Sequence, residues 1–338
     1  MNAPSASAIV VSYNSCRGVL ECLRSLGNQT CLHEVIVVDN ASHDSTVDVV
    51  RSEFPDAKVL ALDKNLGFGA AANAGAAIAT AEVLLVLNPD VRLEHGAVGT
   101  LVDHVARTGD VVAPLTYVGD LGEVSWGVGM DWLGMPLPLH TPGTISYLQG
   151  NALAIDAALF KAIGGFDERL FLFVEDVELC WRARLAGRRL TIVREALAYH
   201  SGGGTIGGGY VRHEGRTTSD LRFAMRERNT LAVFVACAPA ALLAVFIPAH
   251  VAKTFATAGV VAVMGRPRLA VDVLRGLTWN LRNIRGSLAR RSTAPRIVNR
   301  KRAILRYLRL RPSALIILRR DGMPRFVDSK PAARSEFT

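Results

Sequence analysis

The stretch "VIVVDNASHDST", Val35 to Thr46, decides the fold class because it joins a strand-like run directly to a helix start. Its four β-branched residues in succession predict a strand that is buried on both faces. The Asn, Ser and Asp residues that follow are typical helix N-caps. Between them stands Asp39, a carboxylate that is costly at the end of a buried strand unless it is hydrogen-bonded or paired. Asp39 therefore either closes a turn before the helix or accepts hydrogen bonds from a nucleotide base or ribose.

The same strand–helix pattern recurs through the first third of the chain. Strand-like runs occupy residues 8–12, 35–39, 58–62, 83–87 and 110–114, and helical composition follows each of the first four. This alternation predicts a mainly parallel sheet with helices on both faces, whose ligands bind beyond the carboxyl ends of the strands. The polar residues at those ends are the first binding candidates: Ser12, Tyr13 and Asn14; Asp39 and Asn40; Asp63 to Gly69; and Asn88 to Asp90.

Charge is distributed unevenly along the chain. The part from Arg266 onward contains 19 of the 39 Lys and Arg residues but four of the 30 acids, in a protein whose net charge is +9. The five cysteines have no C-x-x-C spacing, and the N-terminal residues lack the basic start of a secretory signal. These features predict a protein of the reducing cytoplasm with a distinct basic surface near its C-terminal end.

Residues 229–252 form a run of 24 residues without a formal charge, which is long enough to cross the hydrocarbon core of a membrane. Pro239 and Pro248 interrupt the run, and basic residues flank both ends, which disfavours placing the ends on opposite sides. We expect a kinked hairpin or in-plane helices that enter one leaflet; a buried core helix and a true span are the alternatives. The basic tract that follows favours an anionic surface, and its position beside the apolar run selects a membrane over nucleic acid.

The triplet Asn88-Pro89-Asp90 suits metal binding, and the later His200 is a separate ligand candidate. Hard oxygen ligands two residues apart after a strand can reach one divalent cation that also bridges a diphosphate, although the same triplet is a common turn initiator. His200 follows a predicted strand and precedes a glycine-rich loop that extends to residue 210, which we expect to be mobile. A structural histidine is the alternative for this residue.

Two adjacent acids, Glu175 and Asp176, begin a predicted helix. The positive end of the helix dipole would keep Asp176 ionised and able to act as a general base. The alternative is an ordinary capping acid, with Glu178 and Arg182 paired on a solvated face of the helix.

Another motif competes with this interpretation. "GFGAAA", residues 67–72, fits the glycine fingerprint of dinucleotide-binding folds and would indicate an oxidoreductase of the Rossmann type. Two complete strand–helix units precede it, however, and its linker is longer than the fingerprint requires.

Six motifs in order resemble those of the family 2 glycosyltransferases, the inverting enzymes of the GT-A fold, and in particular the bacterial rhamnosyltransferase-like enzymes that build cell-surface polysaccharides. The motifs extend over residues 8–200 and are "VSYN", "VIVVDNASHDST", "NLGFGAAANAG", "LLVLNPDV", "GGFDERLFLFVEDVELCWRARLAG" and "YH". None of the six would suffice separately, but their shared order makes the resemblance specific.

The resemblance implies a nucleotide-diphosphate-sugar donor, such as dTDP-rhamnose, bound over the carboxyl ends of the first strands. The residues implied to contact it are Ser12, Tyr13, Asn14, Asp39, Asn40, Asn65, Gly67, Asn73, Asn88 and Asp90. It further implies that Asp90 and His200 are ligands of Mg²⁺ or Mn²⁺. Asp176 is implied as the general base, with Glu175 beside it and Arg182 as an orienting partner.

We therefore expect three regions: a GT-A catalytic domain at 1–215, an apolar helical segment at 216–265 that associates with the membrane, and a basic helical region with a flexible tail at 266–338. The expected reaction transfers a sugar, with inversion, to a hydroxyl of a cell-envelope glycan or a polyprenyl-diphosphate-linked saccharide. The expected location is the cytoplasmic face of the cell membrane, on its anionic surface and without a nucleic acid partner. A Rossmann-type oxidoreductase and a non-catalytic binding protein are the alternatives.

Overall fold

The computed structural model describes residues 4–27, 29–119, 122–201, 211–212, 215–322 and 325–327. The glycine-rich loop that we expect to be mobile lies outside these residues from position 202 onward. The first part of the chain alternates strands and helices as predicted: β1 (Ala6–Ser12), α1 (Cys16–Leu26), β2 (Leu32–Asp39), α2 (Thr46–Glu53), β3 (Lys58–Ala61), α3 (Phe68–Ile78), β4 (Val83–Leu87), β5 (Val91–Leu93), α4 (Ala97–Thr108) and β6 (Val111–Val118).

The loop-rich composition of residues 116–150 conceals three short strands, and a longer series of elements follows them. The order is β7 (Glu123–Ser125), β8 (Val128–Asp131), β9 (Pro136–Pro138), β10 (Ala152–Asp156), α5 (Ala157–Ala162), α6 (Glu175–Leu185), β11 (Leu190–His200), β12 (Val211–Arg212), β13 (Gly215–Ser219), α7 (Asp220–Cys237), α8 (Ala240–Val263), α9 (Pro267–Arg282), α10 (Ile284–Thr293), α11 (Arg300–Ala303), β14 (Leu308–Arg309), α12 (Ser313–Asp321) and β15 (Arg325–Val327).

The central sheet has the strand order β3-β2-β1-β4-β10-β6-β11-β5, with β7 paired to β6. The first four strands of this order are mutually parallel, and β11 is parallel to β6, whereas β10 is antiparallel to both of its neighbours. The predicted mainly parallel α/β fold is confirmed. Because the chain proceeds outward from β1 to β3 and then returns to β4 on the other side of β1, a topological switch point lies between β1 and β4.

Strand register brings the predicted polar residues to one edge of the sheet. Ser12 and Asp39 are direct partners at the carboxyl ends of β1 and β2. On the other side of β1, Val10 pairs with Leu87, so that Asn88 begins just beyond the same edge. His200, the last residue of β11, pairs with Val91 immediately after Asp90. The ends of four strands thus surround one crevice.

The sheet is buried on both faces, as its aliphatic runs predict. In β2, Ile36 and Val38 belong to one hydrophobic cluster, which includes residues of α3, α6 and α7. Val37 points to the opposite cluster, which includes residues of α1 and α4. Alternate side chains of a strand point to opposite faces, so a run of β-branched residues satisfies both layers.

The apolar segment at 229–252 is divided between two environments, and the expected membrane hairpin needs correction. Its first half ends α7, and residues 229–238 are buried in the same core as Trp181. Phe234 packs edge-on against Trp181 at 5.1 Å and stacks on Phe246 at 3.8 Å. The alternative of a buried core helix therefore holds for this half, because an uncharged sequence suits a protein core as well as a bilayer.

The second half begins α8, whose 24 residues are long and apolar enough to cross a membrane by length and composition. One stripe of α8 faces the protein: Phe246, His250, Thr254, Ala258 and Val261. Large apolar side chains on the remaining surface are exposed, including Phe255 and Val263. The predicted membrane-associating segment is therefore restricted to α8.

The basic C-terminal region packs onto the rest of the molecule. Helix α9 contacts α7 and α8, and α10 contacts α7. Strand β14 pairs in parallel with β8, and β15 pairs in parallel with β13. Several arginines that seemed available for a membrane are used internally: Arg291 donates to the carbonyls of Val235 and Ala238, and Arg300 donates to the carbonyl of Arg291.

Candidate active site

A cavity of about 430 Å³ lies over the carboxyl ends of the central strands. The predicted residues that line it are Ser12, Tyr13, Asn40, Asn65, Gly67, Asn88, Asp90, Glu175, Asp176 and His200. Four other predicted residues do not belong to the lining: Asn14, Asp39, Asn73 and Arg182. The wall opposite the strand ends comes from β8, β9, α7 and α12, so the cavity uses both halves of the chain.

The residues after β1 and β2 form a hydrogen-bonded turn beside the cavity. Asp39, which is 2% exposed, accepts bonds from the backbone N of Ser42 at 2.9 Å and from its hydroxyl at 2.5 Å. Ser42 Oγ also accepts from the backbone N of Asn14, and Asn14 Oδ1 accepts from the N of His43. The turn-forming alternative for Asp39 is thus observed. Ser12 differs, because its buried hydroxyl has no hydrogen-bond partner among the described residues.

Asparagines hold the segment before α3. Asn40 Nδ2 donates to Asn65 Oδ1 at 2.8 Å, and Asn40 Oδ1 accepts from Leu66 N at 2.8 Å. Gly67 has φ of 83°, and a Cβ there would come within 2.2 Å of the carbonyl oxygen of Phe171, so no other residue fits. Asn73 points away from the cavity and bonds both the N and the O of Phe166.

Asp90 and His200 meet at the rim of the cavity. His200 Nε2 is 3.1 Å from Asp90 Oδ1, and its Nδ1 is 3.3 Å from Asn151 Nδ2. No third His, Cys, Asp or Glu joins them to make a metal cluster within the described ranges. One carboxylate oxygen and one imidazole nitrogen fit a divalent cation whose remaining ligands are oxygens from outside the protein.

Glu175 and Asp176 open α6 and face the same cavity. Asp176 accepts two backbone bonds, from Gly150 N at 3.1 Å and from Val177 N at 2.8 Å. Glu175 is 8% exposed, and its buried Oε2 has no hydrogen-bond partner in the described part of the chain. The two neighbouring acids therefore have different environments although both line the cavity.

Burial raises the pKa of both carboxyl groups. The pKa of Asp176 rises to about 6, because desolvation outweighs the opposing effects of the two backbone amides and the Arg226 charge. The pKa of Glu175 rises to about 8 through burial and the nearby Asp176 carboxylate. The expectation that the helix dipole alone sets the protonation of Asp176 is incomplete, since desolvation is the larger effect.

The predicted contact between Arg182 and Asp176 is not observed. Arg182 is 2% exposed, and its guanidinium donates to the carbonyls of Ile163 and Arg290. It also lies 3.7 Å from Glu178, so the predicted i,i+4 pair exists, but in the interior and not on a solvated face. Residues six positions apart on a helix do not share a face, which is why Arg182 and Asp176 diverge.

Two arginines that sequence reasoning did not assign lie on the opposite wall. Arg222 and Arg226 are one turn apart on α7 and line the cavity. Arg222 stacks over the Phe173 ring at 4.6 Å, and the positive charges of both arginines lower the pKa of Glu175. Their only sequence signal was the i,i+4 spacing at the N-terminal end of α7.

Comparison with known proteins identifies this arrangement. Residues 7–158, which contain β1 to β10 and the first part of the cavity, match the family model for glycosyl transferase family 2. The segment that supplies the strand ends of the cavity is thus similar to the family 2 glycosyltransferases. The resemblance inferred from six ordered motifs is thereby confirmed, and rhamnosyltransferases are among the similar proteins.

The chain is similar to an N-acetylglucosaminyl-diphospho-decaprenol L-rhamnosyltransferase of Mycobacterium tuberculosis, with 28% identity over 49% of this chain and 66% of that protein. The aligned part thus spans slightly less than two thirds of this relative.

Two solved structures share the fold. TarS 1-349 of S. aureus in complex with UDP has a TM-score of 0.54 at 20% identity and covers 86% of this chain and 89% of its own. GalNAc-T7 with UDP, GalNAc and Mn²⁺ has a TM-score of 0.56 at 17% identity and covers 70% of this chain and 48% of its own. The expected GT-A fold is confirmed.

The oxidoreductase alternative is not supported for this chain. Gly67 and Gly69 do lie at the start of α3, as the dinucleotide fingerprint requires. The first amide of the helix, Phe68 N, however donates to the carbonyl of Phe171 at 2.8 Å. A protein carbonyl therefore occupies the place where a dinucleotide-binding helix would receive a pyrophosphate.

Proposed function

We propose that the protein transfers a sugar from a nucleotide-diphosphate donor to a hydroxyl group of a cell-envelope glycan or a polyprenyl-diphosphate-linked saccharide. The observation that carries the proposal is that Asp90 with His200 and Glu175 with Asp176 line one cavity. Asp90 and His200 suit a cation on the diphosphate of a donor, and Glu175 and Asp176 suit the activation of an acceptor hydroxyl. The relative that acts as a rhamnosyltransferase supports dTDP-rhamnose as the first donor to test.

The strand ends provide the donor side. Ser12, Tyr13, Asn40, Asn65 and Asn88 line this end of the cavity and offer hydroxyl and amide groups to a base and ribose. Gly67 and Asp90, also in the proposed nucleotide-sugar set, line the cavity as well. Its other members, Asn14, Asp39 and Asn73, lie outside the lining and act on this side through the backbone that they hold. In particular, Asp39 and Asn14 hold the turn at Ser42.

Asp90 and His200 would hold Mn²⁺ or Mg²⁺. The fit is that of a carboxylate oxygen and an imidazole nitrogen at 3.1 Å from each other, and the Mn²⁺ of the GalNAc-T7 structure supports it by fold analogy. When bound, the cation supplies positive charge against the diphosphate that departs. Arg222 and Arg226 are the chain's own cations for the same kind of group, on the opposite wall.

Asp176 acts as the general base. Its ionised carboxylate takes the proton of the acceptor hydroxyl while that oxygen bonds to the anomeric carbon and the bond to the diphosphate breaks. Attack from the face opposite the leaving group inverts the anomeric centre. Glu175 keeps its proton near neutral pH, since its pKa is raised to about 8, and so adds no second negative charge beside the base.

Helix α8 supports a location at the membrane, where a polyprenyl-linked acceptor would lie. The exposed side of the helix carries large apolar side chains, among them Val245, Phe255, Val260 and Val263. Its one Lys or Arg, Lys253, pairs with Glu227 at 2.9 Å. We assign the exposed side to the cytoplasmic leaflet, where anionic lipids attract the basic residues that follow.

One screen tests donor, metal and base together. Thermal shift with dTDP-rhamnose, UDP sugars and GDP sugars, each with Mn²⁺, Mg²⁺ or EDTA, should select one nucleotide and a cation that increases the shift. Release of the nucleoside diphosphate should then fall by at least about 100-fold in Asp176→Asn, which keeps its nucleotide shift. Asp103→Asn, an exposed acid on α4, is the matched control. Turnover that survives in Asp176→Asn would remove this residue as the base.

A further inference from the structure

The loop that precedes the two acids has an unusual backbone. The loop comprises residues 170–174, and three of its last four residues have positive φ: Phe171 at 60°, Phe173 at 66° and Val174 at 72°. Residues other than glycine rarely adopt positive φ, because the side chain then clashes with the backbone, and a β-branched residue such as Val174 adopts it least readily. A conformation of this kind persists only where the surroundings enforce it, and such sites concentrate at functional centres.

A single buried side chain enforces it. Asn229 is 0% exposed, and its Nδ2 lies 2.8 Å from the carbonyl oxygen of Leu170, 2.9 Å from that of Leu172 and 2.7 Å from that of Phe173. The neighbouring Arg228 donates a further bond to the Leu170 carbonyl at 2.9 Å. Three carbonyls of one short loop thus converge on one amide nitrogen, whose two hydrogens serve them with at least one hydrogen shared between two carbonyls.

The loop controls both sides of the cavity. Val174 is the residue immediately before α6, so the backbone at 170–174 directs the first turn that bears Glu175 and Asp176. The carbonyl of Phe171 also accepts the bond from Phe68 N at the start of α3. A change in this loop would therefore move the acceptor-side carboxylates and disturb the segment beside the donor.

We infer that Asn229 is a positioning residue for the transfer reaction: by bonding the carbonyls of Leu170, Leu172 and Phe173, it holds the loop so that Asp176 faces the cavity. The inference rests on the proposed role of Asp176 as the base. Asn229 lies in α7, outside the matched family segment, and touches the reacting groups only through the loop.

Asn280 provides a matched control. It is also a buried asparagine, 8% exposed, and its Nδ2 donates to the carbonyls of Arg228 and Gly276 at 2.8 Å each. It therefore packs on the same turn of α7 but has no bond to the 170–174 loop. Asn280→Leu and Asn229→Leu both remove a buried amide that bonds to carbonyls, so they share the cost to folding stability.

The test measures release of nucleoside diphosphate from dTDP-rhamnose, with Mn²⁺ and with water as acceptor, together with amide hydrogen exchange of the free protein. Asn229→Leu should lower kcat by about 10- to 100-fold, since small misplacement of a catalytic group has that effect, while the donor KM stays within about threefold. Exchange should increase in peptides that cover 168–176. Asn280→Leu should lower the melting temperature but should neither lower kcat in this way nor increase exchange at 168–176.

The inference is wrong if the two variants have equal kcat, or if exchange at 168–176 is unaffected by Asn229→Leu. If Asn229→Leu fails to fold, Asn229→Ser is the second variant, because serine keeps one donor in a smaller side chain. It should also lower kcat with little change in the donor KM, but by a smaller factor than expected for Asn229→Leu. The exchange measurement needs no substrate. If the wild type releases nothing from any nucleotide sugar, the proposed function fails, whereas exchange still decides whether Asn229 holds the loop.

Discussion

At the scale of single residues, Glu175 and Asp176 show how adjacent acids come to differ. Asp176 receives two backbone N–H bonds, whereas Glu175 has a buried oxygen without a partner in the described structure. Hydrogen bonds favour the charged form and burial favours the neutral one. The pair therefore shares one proton near neutral pH, and Glu175 is the better place for it.

This difference predicts the pH dependence of turnover. A general base works only when ionised, so kcat should rise as the pH increases through about 6, the raised pKa of Asp176, and should be lost below it. Arg226→Gln removes a positive charge that lowers this pKa, so the midpoint should move upward, by about one unit or less. The measurement is the pH profile of kcat at saturating donor. Asp103→Asn should keep the wild-type midpoint, and a midpoint that did not move in Arg226→Gln would contradict the assignment.

The strain of the 170–174 loop also belongs to this scale. Non-glycine residues in the left-handed region cost on the order of 1 kcal/mol or more each, and there are three within four positions. Each neutral hydrogen bond returns about 1 kcal/mol net. The two amide hydrogens of Asn229, shared among three carbonyls, therefore offset part of this strain, and the bond from Arg228 to the Leu170 carbonyl makes a further contribution.

At the scale of elements, a buried ion pair joins α6, the helix of the proposed base, to the C-terminal region. Arg290 of α10 bonds both oxygens of Glu178 in α6, at 2.9 and 3.0 Å, and donates to the carbonyls of Gly164 and Gly165. Glu178 is 0% exposed. Without Arg290, the buried Glu178 carboxylate would lose both of its short bonds and keep only Arg182 at 3.7 Å, so this contact helps to fix the position of α6.

Arg290→Met should lower the free energy of unfolding by about 3–5 kcal/mol, the usual cost of breaking a buried pair from one side. The double variant Arg290→Met with Glu178→Gln should be less destabilised than Arg290→Met, because residue 178 then carries no buried charge, while Arg182 keeps its bonds to backbone carbonyls. Arg285→Met, an exposed arginine of the same helix, is the control. Urea unfolding midpoints provide the measurement. Equal midpoints for Arg290→Met and Arg285→Met would contradict the structural role.

Much of the first half was predictable from the sequence because the signals were local. The run from Val35 to Asp39 shows its strand by composition, and its end marks one edge of the crevice. Asp90 and His200, 110 positions apart, were paired only through the family resemblance, since no local pattern connects them. Arg182 was implied as an orienting partner of Asp176 only by the family resemblance, whereas the structure places its guanidinium on the carbonyls of Ile163 and Arg290 and beside Glu178.

The contacts of Asn229 and Arg226 in α7 could not be predicted from the sequence. Asn229 and Arg226 act on the 170–174 loop and the acids from 50 or more positions away, and nothing in their own segment indicates the contact. The apolar run that includes Asn229 resembled a membrane segment because hydropathy does not separate a protein core from a bilayer. Only packing against Trp181 and Phe246 distinguishes the two.

At the scale of the whole molecule, α8 is the surface that would meet the membrane. Phe255 is 59% exposed and Val263 is 91% exposed, although the helix is apolar throughout. A soluble protein seldom leaves so much apolar surface without a partner. The basic residues that follow α8 supply charge for anionic headgroups at the same end.

Phe255→Asp should therefore weaken binding to vesicles of anionic lipid by at least about tenfold, because a carboxylate is costly in the hydrocarbon region. Cosedimentation at low salt is the measurement, and high salt or neutral lipid should weaken wild-type binding. Ile78→Asp, at an exposed apolar residue at the end of α3, is the matched control. If Phe255→Asp bound like the wild type, or the wild type ignored anionic vesicles, α8 would not be the membrane surface.

The pairing of β15 with β13 has a consequence for how the enzyme is made. Arg320 and Asp321 contribute to the cavity wall, and Thr217 and Thr218 of β13 lie beside it. During synthesis, the strands that define the family emerge first, but the cavity wall is complete only after residues 313–327 have left the ribosome. A chain shortened by a premature stop would still contain the whole family match and yet lack part of its cavity.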